Sequence, residues 1–206
     1  MANTSRQMRW ICALMIVVTA VTVVGYHFLR AGDIQLAQAR RAFDAGRFDV
    51  AEEALERATH VDPNHAEAWR WLGITRKCLG DIPGSADALA RAVELNDGDV
   101  NWWFDAAQVQ QWARRFDEAE HAWKRTLELL PPDDGRVGEA RTNLARVMVF
   151  QGDVDRGVTI FTEMLDSAND PDLRFVLAEL LMWAGRLEES AEHYRLALQQ
   201  KSEESL

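Results

Sequence analysis

Apolar positions fall into two regimes along this chain. From Trp10 to Leu29 the sequence WICALMIVVTAVTVVGYHFL runs without a formal charge, bounded by Arg9 and Arg30. Twenty helical residues at 1.5 Å each span about 30 Å, the thickness of a bilayer core. Trp10 and Tyr26 stand near the two ends, where amphipathic rings suit a membrane interface. This predicts a transmembrane helix over 10–29 acting as a signal anchor, preceded by a basic tail, 1–9. A signal peptide cleaved after Val23-Val24-Gly25 is the competing reading. Cys12 opens the apolar run and reads as a passive, lipid-facing residue. After residue 31 the pattern changes to apolar residues three and four apart, interrupted every 13–15 residues by turn signals. That is the pattern of amphipathic helices joined by short loops, and it predicts an all-α chain.

The helices repeat. Gly46-Arg47-Phe48, Gly80-Asp81-Ile82, Gly152-Asp153-Val154 and Gly185-Arg186-Leu187 share one order of glycine, charge and apolar residue, and Arg114-Arg115-Phe116 fills the same place between the second and third. The steps are 34, 34, 38 and 33 residues. Within the period, Trp69, Leu72 and Gly73 form one stripe and Leu89 and Ala92 another. Trp103, Ala106 and Ala107 are followed in the same way by Ala119 and Trp123, then by Pro131. Ala51, Leu55, Ala58 and Pro63 mark the first unit, Leu144, Ala145, Met148, Gly157 and Phe161 the fourth, and Leu177, Ala178, Leu181, Ser190, Tyr194 and Ala197 the fifth. Each period is a hairpin of two helices. Small residues let the backbones approach and large ones fill the space beside them. One hairpin cannot bury its apolar face alone, so neighbours must stack.

A 34-residue period filled in this way resembles the tetratricopeptide repeat (TPR). The resemblance covers nearly everything after the anchor, with repeats at about 32–65, 66–99, 100–133, 138–170 and 171–204. It implies a right-handed α-solenoid of about five helix-turn-helix repeats with a concave groove. Three departures stand out. Arg114 replaces the turn glycine of the third repeat, Pro132-Asp133-Asp134-Gly135 lengthens the next linker, and no polar capping helix follows the fifth repeat.

Charge and composition exclude several classes. Beyond residue 30 the chain holds 20 basic and 33 acidic residues, a net charge of −13, which repels phosphate backbones and speaks against a nucleic-acid partner. Cys12 and Cys78 are the only cysteines, so no disulfide framework or paired-cysteine zinc site can form. His60 and His65 bracket Asp62, but they sit in an ordinary Asp-Pro-Asn linker. No phosphate-binding glycine loop, nucleophile elbow or metal motif is present, so no catalytic residue, cofactor or metal is expected and the chain does not read as an enzyme.

What the resemblance implies is a protein or peptide ligand held in the groove. The family's ligand-facing positions fall on Asp33, Leu36, Arg40, Phe43 and Asp44, then on Glu67, Arg70, Ile74, Lys77 and Cys78. The third repeat gives Asn101, Phe104, Gln108, Gln111 and Trp112, the fourth Glu139, Thr142, Arg146, Val149 and Phe150, and the fifth Asp172, Phe175, Glu179, Met182 and Trp183. Phe104, Gln108, Trp112, Arg146, Phe150, Phe175, Met182 and Trp183 form the candidate site, where aromatics in a concavity suit binding. Trp112, Phe150 and Trp183 border both groove and core, and either role is open. Leu36 and Arg40 stand where carboxylate-clamp co-chaperones carry lysine and asparagine, respectively, which argues against a cytosol-facing receptor or co-chaperone.

The segments Trp112–Ala119 and Trp183–Ser190 are similar to bacterial repeat proteins that assist exopolysaccharide secretion, and membrane-anchored TPR subunits of cytochrome c maturation are a second likeness. The expectation is a scaffold for assembly or export of an envelope complex, single-pass in a bacterial inner membrane through 10–29, with its repeats in the periplasm. A self-associating array, paired through the uncapped C-terminal repeat, is the alternative.

Overall fold

The computed structural model describes residues 14–19, 21, 32–168 and 171–204. Among them, ten helices follow residue 31: α1 (32–44), α2 (Phe48–Val61), α3 (Ala66–Leu79), α4 (Ile82–Leu95), α5 (Val100–Trp112), α6 (Phe116–Leu129), α7 (Val137–Phe150), α8 (Val154–Ala168), α9 (Pro171–Trp183) and α10 (Leu187–Glu204). No strand is present among the described residues. The chain divides into two compact units, residues 1–95 and 96–206.

The membrane expectation requires correction. Among the described residues no helix is long and apolar enough to cross a membrane. Of the span expected over 10–29, residues 14–19 and 21 are described, and they are helical and exposed. The rest of that span lies outside the described residues. The single-pass, inner-membrane, periplasmic placement is withdrawn on this finding.

Within each unit, turn chemistry sets the helix pairs. Gly46, Gly80, Gly152 and Gly185 all take a left-handed conformation, φ +71, +84, +92 and +78°, which costs an L side chain about 1–2 kcal/mol and glycine almost nothing. Arg114 holds the same conformation at φ +60° without that freedom. Substitution of arginine for glycine therefore leaves the turn geometry in place and stores strain in it.

Inside the hairpins the backbones are close. Ser85 Oγ donates to Gly73 O and Ser190 Oγ to Ala178 O, both at 2.7 Å, so a hydroxyl on the second helix satisfies a first-helix carbonyl at equivalent places in two repeats. Trp69 Nε1 donates to Pro63 O at 2.9 Å and Trp103 Nε1 to Asp97 O at 2.8 Å, which ties the start of each first helix to the linker before it. In the first unit the core gathers Leu36, Ala39, Ala54, Leu55, Leu72 and Ala88, with Trp69 and Trp71 packed on it. Arg76 of α3 binds Glu52 and Glu56 of α2 at 2.9 and 2.7 Å. In the second unit Ala145, Val149, Phe161, Leu165, Leu177, Leu180 and Leu181 form a core across α7, α8 and α9.

The extra residues of the linker between the third and fourth repeats are structured. Asp134 accepts from the Arg136 backbone N–H at 2.9 Å and from its guanidinium at 3.0 and 2.9 Å, and Arg136 also donates to Asn101 of α5 at 2.7 Å. The side-chain bonds from Arg136, then its backbone N–H, hold the Asp134 carboxyl down at about 2. His65, the residue of metal-like spacing, is a helix cap. Its Nδ1 accepts from Ala68 N–H at 3.3 Å, leaving Nε2 toward Asp33 at 3.2 Å.

Candidate protein-binding surface

Each left-handed turn reverses the chain within three residues. The last residue of a first helix and the first of the second therefore emerge on the same edge of the hairpin. In residues 96–206 that edge is aromatic. The Phe116 and Phe150 rings stack with centroids 5.6 Å apart and planes 28° from parallel, and Phe150 and Trp183 stack at 5.9 Å and 20°. One row of rings thus runs through three successive repeats. Trp112 adjoins it: with Gln111, Arg114, Phe116 and Phe150 it lines an open pocket of about 280 Å³. The Arg114 guanidinium lies 5.9 Å from the Phe116 centroid, within cation–π range. Trp112 is 53% exposed, Phe150 45% and Trp183 58%.

These exposures bear on whether the last residue of each first helix is core or surface. A core ring is sealed, as Trp123 is at 0%. Phe150 and Trp183 are half in water although their rings stack face to face, and Trp112 beside them is equally exposed, so none of the three is sealed as Trp123 is.

Other expected site residues have different surroundings. Phe104 packs edge-on against Trp123 of its own hairpin at 5.0 Å and 87°. Phe175 meets Tyr194 at 5.9 Å, with Lys201 Nζ 5.2 Å from its ring. Gln108 and Arg146 are half-buried along α5 and α7, and Met182 is exposed next to Trp183 in sequence. Leu36 and Val149, expected to face a ligand, are buried in their cores. Phe116 was not among the expected residues. Its signal lay in the turn tripeptide itself, whose apolar member is Phe48, Ile82, Phe116, Val154 or Leu187.

In the first unit Leu79 is exposed at its turn, and the neighbouring rings pack on one another. Phe43 packs on Phe48 at 5.1 Å and on Trp71 at 5.3 Å, and Arg40 covers Trp71 at 5.1 Å, leaving these three rings half-buried.

Acidic groups flank the exposed row. Asp117 and Glu118, Asp155, and Glu188 and Glu189 stand in the first turns of α6, α8 and α10, the helix ends nearest the edge. Asp117 accepts from Gln151 at 2.7 Å and Asp155 from Arg186 at 2.8 Å, contacts that join successive repeats. Hydrogen bonding from Arg186 pulls the Glu189 carboxyl below its usual range. The asymmetry extends to the whole unit. Residues 96–206 carry 22 acidic and 12 basic side chains, whereas residues 1–95 carry 11 of each, so the second unit holds the chain's entire net charge of −10.

The family model described as tetratricopeptide repeat matches residues 36–100 and 142–205. Among curated proteins, the chain is 24% identical over 127 residues to transcription factor tau subunit sfc4 of Schizosaccharomyces pombe, covering 60% of this chain and 13% of that one. It is 35% identical over 65 residues to the heat-shock protein cognate co-chaperone sgt12 of Aspergillus fumigatus, covering 31% and 19%. The matches therefore span less than a fifth of either relative. Solved structures with the same fold include MamA from Desulfovibrio magneticus RS-1, at TM-score 0.64 and 14% identity over 84% of this chain and 96% of that one. YrrB, described as a TPR protein with an unusual peptide-binding site, superposes at TM-score 0.63 and 15% identity over 82% and 90%.

Proposed function

Because the chain belongs to the tetratricopeptide-repeat family, a family of protein-interaction arrays, we propose that it is a binding scaffold whose ligand docks on the exposed aromatic row of residues 96–206. The observation that carries this reading is the stack Phe116–Phe150–Trp183, continuous through three repeats yet open to water at Phe150 and Trp183. Aromatic side chains bring large contact area at low entropic cost, and rings already stacked lose little further freedom on binding. Trp112 and Met182 extend the surface, and Gln108 and Arg146 lie half-buried on the same first helices as Trp112 and Phe150. Phe104 and Phe175 support it by packing within their own hairpins. The peptide-binding site of YrrB supports a peptide ligand by analogy of fold.

Assembly or export of an envelope complex rests on likeness in the turn segments Trp112–Ala119 and Trp183–Ser190, of which Phe116 and Trp183 stack in the row. The co-chaperone likeness does not carry a carboxylate clamp with it, since Leu36 is sealed in the core at 6% exposure. Self-association has one observation in its favour: Leu187 and Leu198 are exposed on α10. Sedimentation of the chain at two concentrations separates that reading, because an array that pairs through α10 sediments faster as concentration rises.

The docking reading is tested by placing the photo-reactive residue p-benzoylphenylalanine at position 183 or, as a control on the outer side of α8, at position 163, and irradiating in cells. A discrete adduct from position 183 and none from 163 is expected. Adducts from 163 alone would move the binding surface away from the turns.

A further inference from the structure

We propose that the partner presents a basic amphipathic helix, with apolar residues against the aromatic row and lysine or arginine against the carboxylates beside it. This rests on the reading of the row as the docking surface and adds the chemistry of its occupant. Two observations carry it. The first is spacing. Successive ring centroids lie 5.6 and 5.9 Å apart, close to the ~5.4 Å pitch of an α-helix, so side chains one helical turn apart on a ligand meet successive rings in register. An extended strand, which places same-face residues about 6.6–6.8 Å apart, drifts out of step along the row.

The second is charge. Five first-turn carboxylates, Asp117, Glu118, Asp155, Glu188 and Glu189, border the row, in a unit that holds the whole net charge of −10. Arg186 engages Asp155 and Glu189, while Glu118 and Glu188 are exposed at the rim. An acidic ligand meets repulsion from this field. A basic one gains attraction at long range and, where its cations reach the exposed indoles of Trp112 and Trp183, cation–π contact. The first unit, balanced in charge and with its turn rings packed on one another, lacks both features.

The test uses the full chain and two fluorescein-labelled helical peptides of sixteen residues. Both carry leucine at i, i+4, i+7 and i+11, and one has lysine where the other has glutamate. In fluorescence anisotropy the lysine peptide should bind at least tenfold more tightly than the glutamate peptide and weaken as salt rises. Phe150→Ala/Trp183→Ala and Glu118→Gln/Glu188→Gln should each weaken it at least tenfold and fivefold, respectively. Equal binding of the glutamate peptide, abolished by Trp183→Ala, would overturn the inference about charge while leaving the row as a docking surface. Lysine-peptide binding indifferent to Phe150→Ala/Trp183→Ala would overturn it as attraction to charge alone. Binding of neither peptide by a chain that still gives the position-183 adduct would overturn it as well.

Discussion

Trp123→Ala lowers the stability of the fold by about 3–5 kcal/mol, read as a shift of the urea midpoint without a change in slope. Trp123 lies on α6 with 0% of its surface exposed, in the gap opened by the small residues of the third hairpin. Its Nε1 donates to Gln111 Oε1 at 3.1 Å, and the Phe104 ring stands edge-on to it at 5.0 Å. Truncation leaves a cavity too large for two helices to close and removes the partner of a Gln111 oxygen, and the two losses act in the same direction. A domain of this size has only about 5–15 kcal/mol in total, so the variant is expected to be partly unfolded at moderate urea. A loss under about 1 kcal/mol would show that the third hairpin does not depend on this ring.

Gly157→Ala should destabilise by about 1–3 kcal/mol, although alanine in a helix interior is intrinsically better than glycine by about 1 kcal/mol. Position 157 of α8 faces α7 so closely that an added Cβ would sit 2.7 Å from Val149 Cγ2 and 2.9 Å from the Ala145 carbonyl oxygen. A side chain can rotate away; a backbone carbonyl inside a helix cannot, so α7 and α8 must separate and loosen the core around Val149 and Phe161. Gly135→Ala, with nothing within 4 Å of the added atom, is the control and should change stability little. A melt showing Gly157→Ala at or above wild-type stability would mean that this hairpin has slack.

Much of the hairpin architecture was legible because its causes are local. The turn tripeptides mark places where the backbone goes left-handed, and even Arg114, which breaks the pattern, adopts φ +60° because the hairpin around it demands that turn. Small residues at Gly73, Gly157 and Ser190 announced close helix approach, and the structure shows it at each. The binding surface was less legible. The TPR resemblance puts Leu36, Val149, Phe104 and Phe175 at ligand-facing positions; Leu36 and Val149 are buried in their cores, while Phe104 and Phe175 stay half-buried, each against a ring of its own hairpin. Helical periodicity gives an angle on one helix and says nothing of how far a ring reaches toward the next repeat. Stacking of Phe116 on Phe150 and of Phe150 on Trp183 depends on repeat-to-repeat displacement, a property of the array. The anchor expectation was read from the composition and length of an uncharged run; among the described residues, which include 14–19 and 21 of that run, no helix is long and apolar enough to cross a membrane.

If the exposed row binds while the sealed rings hold the fold, a paired measurement separates the two kinds of ring: thermal melting of the full chain, and capture of the partner identified by cross-linking from position 183, for Trp112→Ala, Trp183→Ala and Trp123→Ala. Trp112→Ala and Trp183→Ala should leave stability within about 0.5 kcal/mol of wild type, as surface changes do, while capture falls about tenfold or more for each. Trp123→Ala should show the large loss of stability described above. Melting temperatures lowered equally by all three, with capture by folded Trp112→Ala and Trp183→Ala unchanged, would place those two rings in the core and contradict the claim.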